Sequence, residues 1–454
     1  MRGRWVGWLS PVPRRSHAAC STRQSDHPVG RSQACVAPCP NVIARSEADE
    51  ATPVVWAHGR PGSLPEGAPC PNPRRMSAPV RKLPRTCAMC IAVAMATTHP
   101  TTASELPAAD TLMSRLMSTD NVPGAALALI KDDRIVLEKG YGFRDLETHA
   151  PVTVTTLFNI GSISKSFTAL GIAQLVDQRK VDLDTPVIEY IPDFRLSNPQ
   201  ALLTLTLRRL LSHSSGLPAD EQWPPLVPPT REGIVGEFAG MPTTAQPGTR
   251  FQYCTRCIVL AAYVLERVTG QSWEAYTRSQ IFVPLRMTAA SFGPRGLEHA
   301  SDRAQPYRHD AGLDEVPVPW ARLQYLESLA PGGGINANID DMAQYALLQV
   351  GDGTIAGRRL ISVHMLAELH RPEIAVGDDW TPTARAENLH YALGWFTADL
   401  HGTHVIFHFG GNPGFRAVIA VVPAAKAGVV VLTNGESNHF TSTAMRSLIE
   451  QLLR

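Results

Sequence analysis

Short runs of apolar residues near residue 130 and again beyond residue 400 predict β-strands. Residues 125–130 and 134–138 are rich in β-forming side chains and are joined by Lys131, Asp132 and Asp133, which is a hairpin signal. Further strand-like runs and a helical tail are predicted at 404–409, 417–422, 429–433 and 442–453. Along 404–409 we expect the even-numbered side chains to share one face of the strand and the odd-numbered ones the other.

Between these strand-rich ends, the chain has the spacing of helices and loops rather than a regular alternation of strands and helices. The strand-like runs lie within 105–160 and 330–454, and about 161–329 is mainly helical. We therefore expect an α/β protein of the α+β type, with a mostly antiparallel sheet flanked by helices and a helical insertion. The whole of 105–454 is predicted to be one domain, and a Rossmann fold is not expected.

The first 104 residues have a different composition. Residues 1–75 are rich in Arg, Pro, Gly, Ser and Cys and lack apolar periodicity, so they are predicted to be disordered or a mis-called extension. Basic residues after Met76, an apolar run and then small residues are typical of a secretory signal peptide over 76–104. An amphiphilic stretch without a targeting role is the alternative.

If translation starts at Met76, the protein is expected to be periplasmic or secreted. N-terminal sequencing of exported protein tests this, and a mature chain that still contains residues 20–70 would contradict it. The apolar run over 87–96 is too short to span a bilayer, so no stable membrane span is expected.

Charge excludes some partner classes. The chain has 42 basic and 41 acidic side chains, and a formal net charge of +1 gives no reason to expect nucleic-acid binding. A small-molecule or peptide substrate is the expected partner, and the oligomeric state cannot be predicted. Only six of the basic residues are lysines, so a lysine at a chemically suggestive position is informative.

Lys165 is such a lysine. It lies three residues after Ser162 at the start of an apolar run that reaches about Arg179, which predicts a buried helix with both side chains on one face. A serine becomes nucleophilic when a base takes its proton, and a lysine can do so if its amine is neutral. Burial and the helix N-terminus both favour that neutral form, and the Ser162 amide is free to contact an oxyanion. An ordinary helix start is the alternative interpretation.

Several ordered motifs resemble the serine β-lactamase and penicillin-binding protein superfamily, most of all its class C β-lactamase-related serine hydrolase branch. Besides Ser162-x-x-Lys165, they lie at 210–217, 247–253, 284–287, 331–334 and 408–411. The resemblance covers nearly all of 105–454 and implies a β-lactamase/transpeptidase-like fold. It does not identify the substrate.

The resemblance assigns a second catalytic residue. It implies that the phenol of Tyr253 works with Lys165 as the proton shuttle, where a core aromatic would otherwise be expected. The superfamily carries Tyr-x-Asn at this position, and its Asn amide contacts the substrate, but this chain has Tyr253-Cys254-Thr255. Thr255 is therefore a candidate substrate-binding residue that offers a hydroxyl in place of an amide.

A third motif, at 408–410, resembles the Lys-Thr-Gly of the superfamily. His408 and Gly410 are candidate substrate-binding residues, and the Gly411 amide is the expected second oxyanion donor beside that of Ser162. With His408 in place of lysine, we expect the positive field for a substrate carboxylate to be weaker and to depend on pH near neutrality. A structural histidine on a strand is the alternative for His408.

The remaining signals predict no metal and no cofactor. His401, His404 and His408 lack the carboxylate and the spacing of a zinc site. Cys254 and Cys257 form a C-x-x-C at a helix start, where a local disulfide and a pair of packed thiols both stay open.

The expected function is that of a serine hydrolase, which forms an acyl-enzyme with an ester, β-lactam or D-amino-acid peptide carbonyl. No separate deacylating carboxylate is identified, so Tyr253 is expected to help activate the water. The alternative is a catalytically weak protein that binds β-lactams or peptidoglycan fragments.

Overall fold

A nine-stranded antiparallel sheet organises the protein in the computed structural model. The structure describes residues 105–224, 226–309, 315–377 and 386–454. The extension predicted over 1–75 and the signal peptide predicted over 76–104 lie outside the described residues. In the described part of the chain, no helix has the length and hydropathy of a membrane span.

We number the strands of this sheet in chain order. They are β1 Gly124–Lys131, β2 Arg134–Asp145, β3 Ala150–Pro151, β4 Ile374–Ala375, β5 Glu387–Tyr391, β6 Phe396–Leu400, β7 Thr403–Asn412, β8 Phe415–Val422 and β9 Ala427–Thr433. Across the sheet their order is β4-β5-β6-β7-β8-β9-β1-β2-β3. The last strand of the chain therefore pairs with the first, from Ala125 opposite Thr433 to Lys131 opposite Ala427.

The predicted hairpin joins β1 to β2. Asp132 and Asp133 both have positive φ, 53° and 58°, as a tight turn between twisted strands requires. The mixed α/β architecture with a mostly antiparallel sheet, flanked by helices, is confirmed by the structure.

The helices cover both faces of the sheet. The longer ones are α1 Glu105–Asp120, α2 Ser164–Asp177, α3 Thr255–Thr269, α4 Ile339–Val350, α5 Val363–His370 and α6 Asn438–Leu452. Shorter α-helices occupy Pro199–Leu202, Leu207–Leu211, Arg231–Glu237, Trp273–Thr277, Val283–Leu285, Gly293–Glu298 and Ala330–Gly333. The tail helix α6 begins earlier than predicted, because the Ser437 hydroxyl caps it by accepting from the Phe440 amide.

Alternate side chains of each central strand enter different cores. Leu127 and Leu129 pack with α1 and α6, whereas Ala126 and Ile130 face the core that contains α2, α3 and α4. Burying a leucine or isoleucine side chain contributes about 1.5–3 kcal/mol, so the central strands stabilise the fold through both of their faces.

The backbone of the sheet approaches the backbone of the turn before α2 very closely. A Cβ atom on Gly410 of β7 would lie 1.9 Å from the carbonyl oxygen of Ile160, and one on Gly161 would lie 2.5 Å from the Gly411 nitrogen. Only glycine allows this approach, which sets the position of β7 relative to the turn at 161–163.

We predict that Gly410→Ala lowers the free energy of unfolding by about 1–3 kcal/mol, because the new methyl group forces β7 away from Ile160. Thermal denaturation measures the change. The matched control is Gly236→Ala in the short helix Arg231–Glu237, where a Cβ meets nothing within 4 Å. This control should leave stability unchanged or raise it slightly. An unaltered melting temperature for Gly410→Ala would contradict the role of this contact.

Candidate active site

Ser162 and Lys165 meet at the N-terminal end of α2. The Lys165 Nζ atom lies 3.0 Å from Ser162 Oγ and donates a 2.7 Å hydrogen bond to the carbonyl oxygen of Gly332. Ser162 itself is half-buried, so its side chain is partly exposed. The prediction that α2 begins at Ser162 is wrong, because Gly161–Ile163 is a 3-10 turn and the α-helix begins at Ser164. The tighter turn still brings the two side chains together.

Burial controls the charge of Lys165. The side chain is fully buried, and desolvation lowers its pKa to about 7, although the negative charge of Asp220 opposes the shift. Near neutrality a large fraction of the amine is therefore uncharged. In that form its lone pair can accept the Ser162 proton while an N–H still donates to Gly332.

Tyr253 completes the contact on the other side of the serine. Its hydroxyl is hydrogen-bonded to Ser162, and Lys165 Nζ lies 4.8 Å from the centre of its ring. Burial raises the pKa of Tyr253 well above its ordinary value, so the phenol stays protonated. Lys165 is thus the group able to accept a proton at neutral pH, and Tyr253 can donate or relay one.

His213 packs against Tyr253. Its Nδ1 accepts a 3.1 Å hydrogen bond from the Cys254 amide, and its ring centre is 4.4 Å from that of Tyr253. Its carbonyl oxygen accepts from the Gln252 amide. His213 therefore braces the segment before α3.

Gly411, the expected second oxyanion donor, lies close to the nucleophile. Its backbone nitrogen is 2.5 Å from the place that a Cβ atom on Gly161, the residue before Ser162, would take. The side-chain oxygen of Asn159 accepts from the Gly161 amide at 3.0 Å and from Asn412 Nδ2 at 2.6 Å. Asn159 thus ties the turn of Ser162 to the end of β7, a link that the sequence analysis missed.

A carboxylate lies beside these groups. Asp220 begins a short 3-10 turn, and its two oxygens accept from the Thr255 amide at 2.7 Å and the Thr255 hydroxyl at 2.5 Å. Its negative charge acts on both Lys165 and Tyr253. The sequence analysis identified no such carboxylate, and its one available signal was an acidic residue two positions after the Gly-Leu-Pro at 216–218. The predicted contact residue Thr255 is itself hydrogen-bonded to this carboxylate.

His408 is buried, and both ring nitrogens have partners. Nδ1 lies 2.6 Å from the carbonyl oxygen of Phe409, which can only accept, so Nδ1 carries the proton. Nε2 then accepts from the Tyr391 hydroxyl at 2.9 Å. Burial and the nearby charge of Lys165 lower the pKa of His408 to about 3. The expectation that His408 gains a proton near neutrality is therefore wrong, because desolvation outweighs its ordinary basicity.

The side chains of β7 alternate as predicted, but neither face is open to solvent throughout. Ile406 enters the core of α2, whereas Val405 and Phe407 enter the core of α1 and α6. His404 is exposed and lies 3.1 Å from Asp399.

The structure decides between the two states considered for the cysteine pair. Cys254 and Cys257 form a disulfide across the first turn of α3, directly after Tyr253. The Cys254 sulfur also caps the helix by accepting from the Cys257 amide. The bond therefore fixes the backbone that carries Tyr253 and Thr255.

The family model described as Beta-lactamase matches residues 109–454. The chain belongs to the Beta-lactamase family. This membership places it in the serine β-lactamase and penicillin-binding protein superfamily, whose members include serine acyltransferases and hydrolases.

Individual relatives agree with the family assignment. Penicillin-binding protein 4 of Amycolatopsis lactamdurans is 29% identical over 347 residues, which cover 74% of this chain and 87% of that protein. The octameric penicillin-binding protein homologue from Pyrococcus abyssi has a TM-score of 0.66 and 28% identity, covering 77% of each chain. The D-amino acid amidase from Ochrobactrum anthropi SV3, complexed with L-phenylalanine amide, shares the fold at TM-score 0.63 and 24% identity, with 77% of this chain and 97% of the amidase covered.

We predict that kcat/KM of this family member for an activated ester rises as pH increases through about 7, because deprotonation of Lys165 creates the base. Asp220→Asn should move this limb to lower pH, since the carboxylate charge that raises the pKa of Lys165 is lost. Initial rates between about pH 5 and 9 locate this limb in the parent protein and in Asp220→Asn.

The exposed neighbour Glu221 supplies the matched control. Glu221→Gln removes the same charge one residue away and should leave the limb in place. A limb that stays at its original pH, or moves up, in Asp220→Asn would contradict the assignment of the limb to Lys165.

Proposed function

We propose that the protein is a serine hydrolase that forms an acyl-enzyme with an ester or amide carbonyl. One observation carries the proposal: Ser162 Oγ lies 3.0 Å from the buried Lys165 amine and also bonds to the protonated Tyr253 hydroxyl. A nucleophile therefore contacts both a base of suitable pKa and a proton donor.

Acylation uses these groups in order. Ser162 Oγ attacks the carbonyl carbon as Lys165 takes its proton, and the developing oxyanion is stabilised by the amides of Ser162 and Gly411. The bond to the leaving alcohol or amine then breaks, and the proton passes to that group through Lys165 and Tyr253. Water next attacks the acyl-enzyme, gives a proton back to the same pair, and releases the acid and free Ser162.

The charge state of His408 narrows the class of substrate that we expect. Neutral His408, hydrogen-bonded to Tyr391 and Phe409, provides no cation for a substrate carboxylate. This favours esters and amides over penicillins and peptides that end in a carboxylate. The name of the D-amino acid amidase with the same fold is in line with amide hydrolysis.

A periplasmic or secreted location stays a prediction. The Cys254–Cys257 disulfide supports it, because such bonds persist in oxidising compartments.

Ser162→Ala should lower kcat/KM for p-nitrophenyl acetate by roughly 10⁴-fold or more, because the oxygen that forms the acyl bond is lost. The variant should keep the melting temperature of the parent. Mass spectrometry of the parent protein should show an acetyl adduct on Ser162 at early times. Activity that survives in Ser162→Ala would refute the proposal.

Penicillin separates the enzyme from the alternative of a binding protein. A lasting penicilloyl adduct on Ser162, combined with no turnover of the ester, would favour the binding protein. Rapid release of product from the ester, with little penicillin adduct, is the result that we expect.

A further inference from the structure

The carboxylate of Asp220 has no cationic partner bonded to it among the described residues. Both of its oxygens accept hydrogen bonds from Thr255, which is a neutral residue. Lys165 and Arg256 act on it only through their charge, because Lys165 donates to Gly332 and Arg256 to Glu237 and Pro224. Each oxygen of Asp220 therefore keeps a lone pair that is available to a further donor.

Asp220 is also in the right part of the molecule to meet a substrate. It is half-buried, and it holds Thr255, which the sequence resemblance assigns to substrate contact. A methyl group of Thr255 in turn lies against Gly332, whose carbonyl oxygen receives the hydrogen bond of Lys165. The carboxylate is thus connected to the catalytic amine through Thr255 and Gly332.

When Lys165 acts as the base, Arg256 is the cation among the described residues that still acts on this carboxylate, and Arg256 is itself paired with Glu237 at 2.7 Å. Lys165 must be uncharged to act as the base, and in that form it no longer balances Asp220. Neutral His408 does not replace it.

Arg416 does not balance Asp220 either. It lies beside Gly411 on the face of β7 opposite to the one through which Gly410 contacts Ile160. Its Nη1 donates to the carbonyl oxygens of Asn412 at 3.0 Å and Phe415 at 2.7 Å. A partly buried carboxylate in this setting favours a cationic ligand, because an ion pair there is screened less than in bulk water.

We propose that Asp220 is a specificity-determining residue that binds the ammonium group of the substrate, so that the enzyme acts on amides or esters of amino acids with a free amino group. The inference rests on the acyl-transfer function proposed above. Thr255 positions the Asp220 carboxylate, and the substrate ammonium donates to the oxygen lone pairs that Thr255 does not use.

A pair of isosteric substrates tests the proposal. In the p-nitroanilide of 2-methylpropanoic acid, a methyl group replaces the ammonium of alanine p-nitroanilide. The wild-type protein should cleave one enantiomer of alanine p-nitroanilide with a kcat/KM roughly 10- to 100-fold higher than that for the 2-methylpropanoic acid anilide. A difference of this size is expected for a charge-assisted hydrogen bond. Asp220→Asn should bring this ratio close to one, and Glu221→Gln should keep it.

The ratio of the two substrates separates recognition from a structural role. Both anilides depend on Lys165 equally, so a change in its pKa cancels in the ratio. Equal kcat/KM values for the two anilides in the wild type, or equal losses for both in Asp220→Asn, would overturn the proposal. If the variant fails to fold, equal kcat/KM values for the two anilides in the wild type still overturn the proposal.

Hydrolysis of p-nitrophenyl acetate distinguishes a failure of the role inferred for Asp220 from a failure of the proposed serine hydrolase function. If the acetate is cleaved through Ser162 but the alanine compound has no advantage, the role of Asp220 is wrong and the hydrolase assignment stands. If Ser162→Ala cleaves the acetate as fast as the parent, both are wrong.

Discussion

The removal of water from one lysine is the physical condition on which the site depends. In water the Lys165 amine would be charged at neutral pH and would hold no lone pair for the Ser162 proton. The fold buries it between α2, the glycine-rich helix at Ala330–Gly333 and the Tyr253 ring, where the charged form loses its hydration. Asp220 limits the shift, so the amine reaches a pKa of about 7 and not a much lower one. Desolvation and one opposing charge together produce a base suited to neutral pH.

The same low-polarity surroundings have a different consequence for His408. A lysine at this position could keep its charge more easily, because its ordinary pKa is about four units higher. Imidazole loses its proton on burial at modest cost and then needs one acceptor and one donor, which Phe409 and Tyr391 supply. The site thus combines a neutral imidazole at His408 with a carboxylate at Asp220, and neither group attracts an anionic substrate.

Local pattern predicts much of this arrangement, and long-range contact determines the rest. The spacing of Ser162 and Lys165, the alternation along β7 and the turn at 131–133 are local properties, and each appears in the structure. Tyr391 and Asp220 could not be foreseen, because their partners lie 17 and 35 residues away in sequence. The proton state of His408 depends on burial, which no single strand reveals. The state of Cys254 and Cys257 likewise depends on the geometry of a helix turn.

The pairing of β1 with β9 has a consequence for biosynthesis. These two strands lie side by side in the sheet, yet one is near the start of the described chain and the other is among its final residues. A nascent polypeptide emerging from the ribosome cannot close the sheet until residues 427–433 have been made. Such distant contacts also slow folding, since a long loop must be ordered before they form. Until then β1 and β8 each lack the strand that lies between them in the sheet.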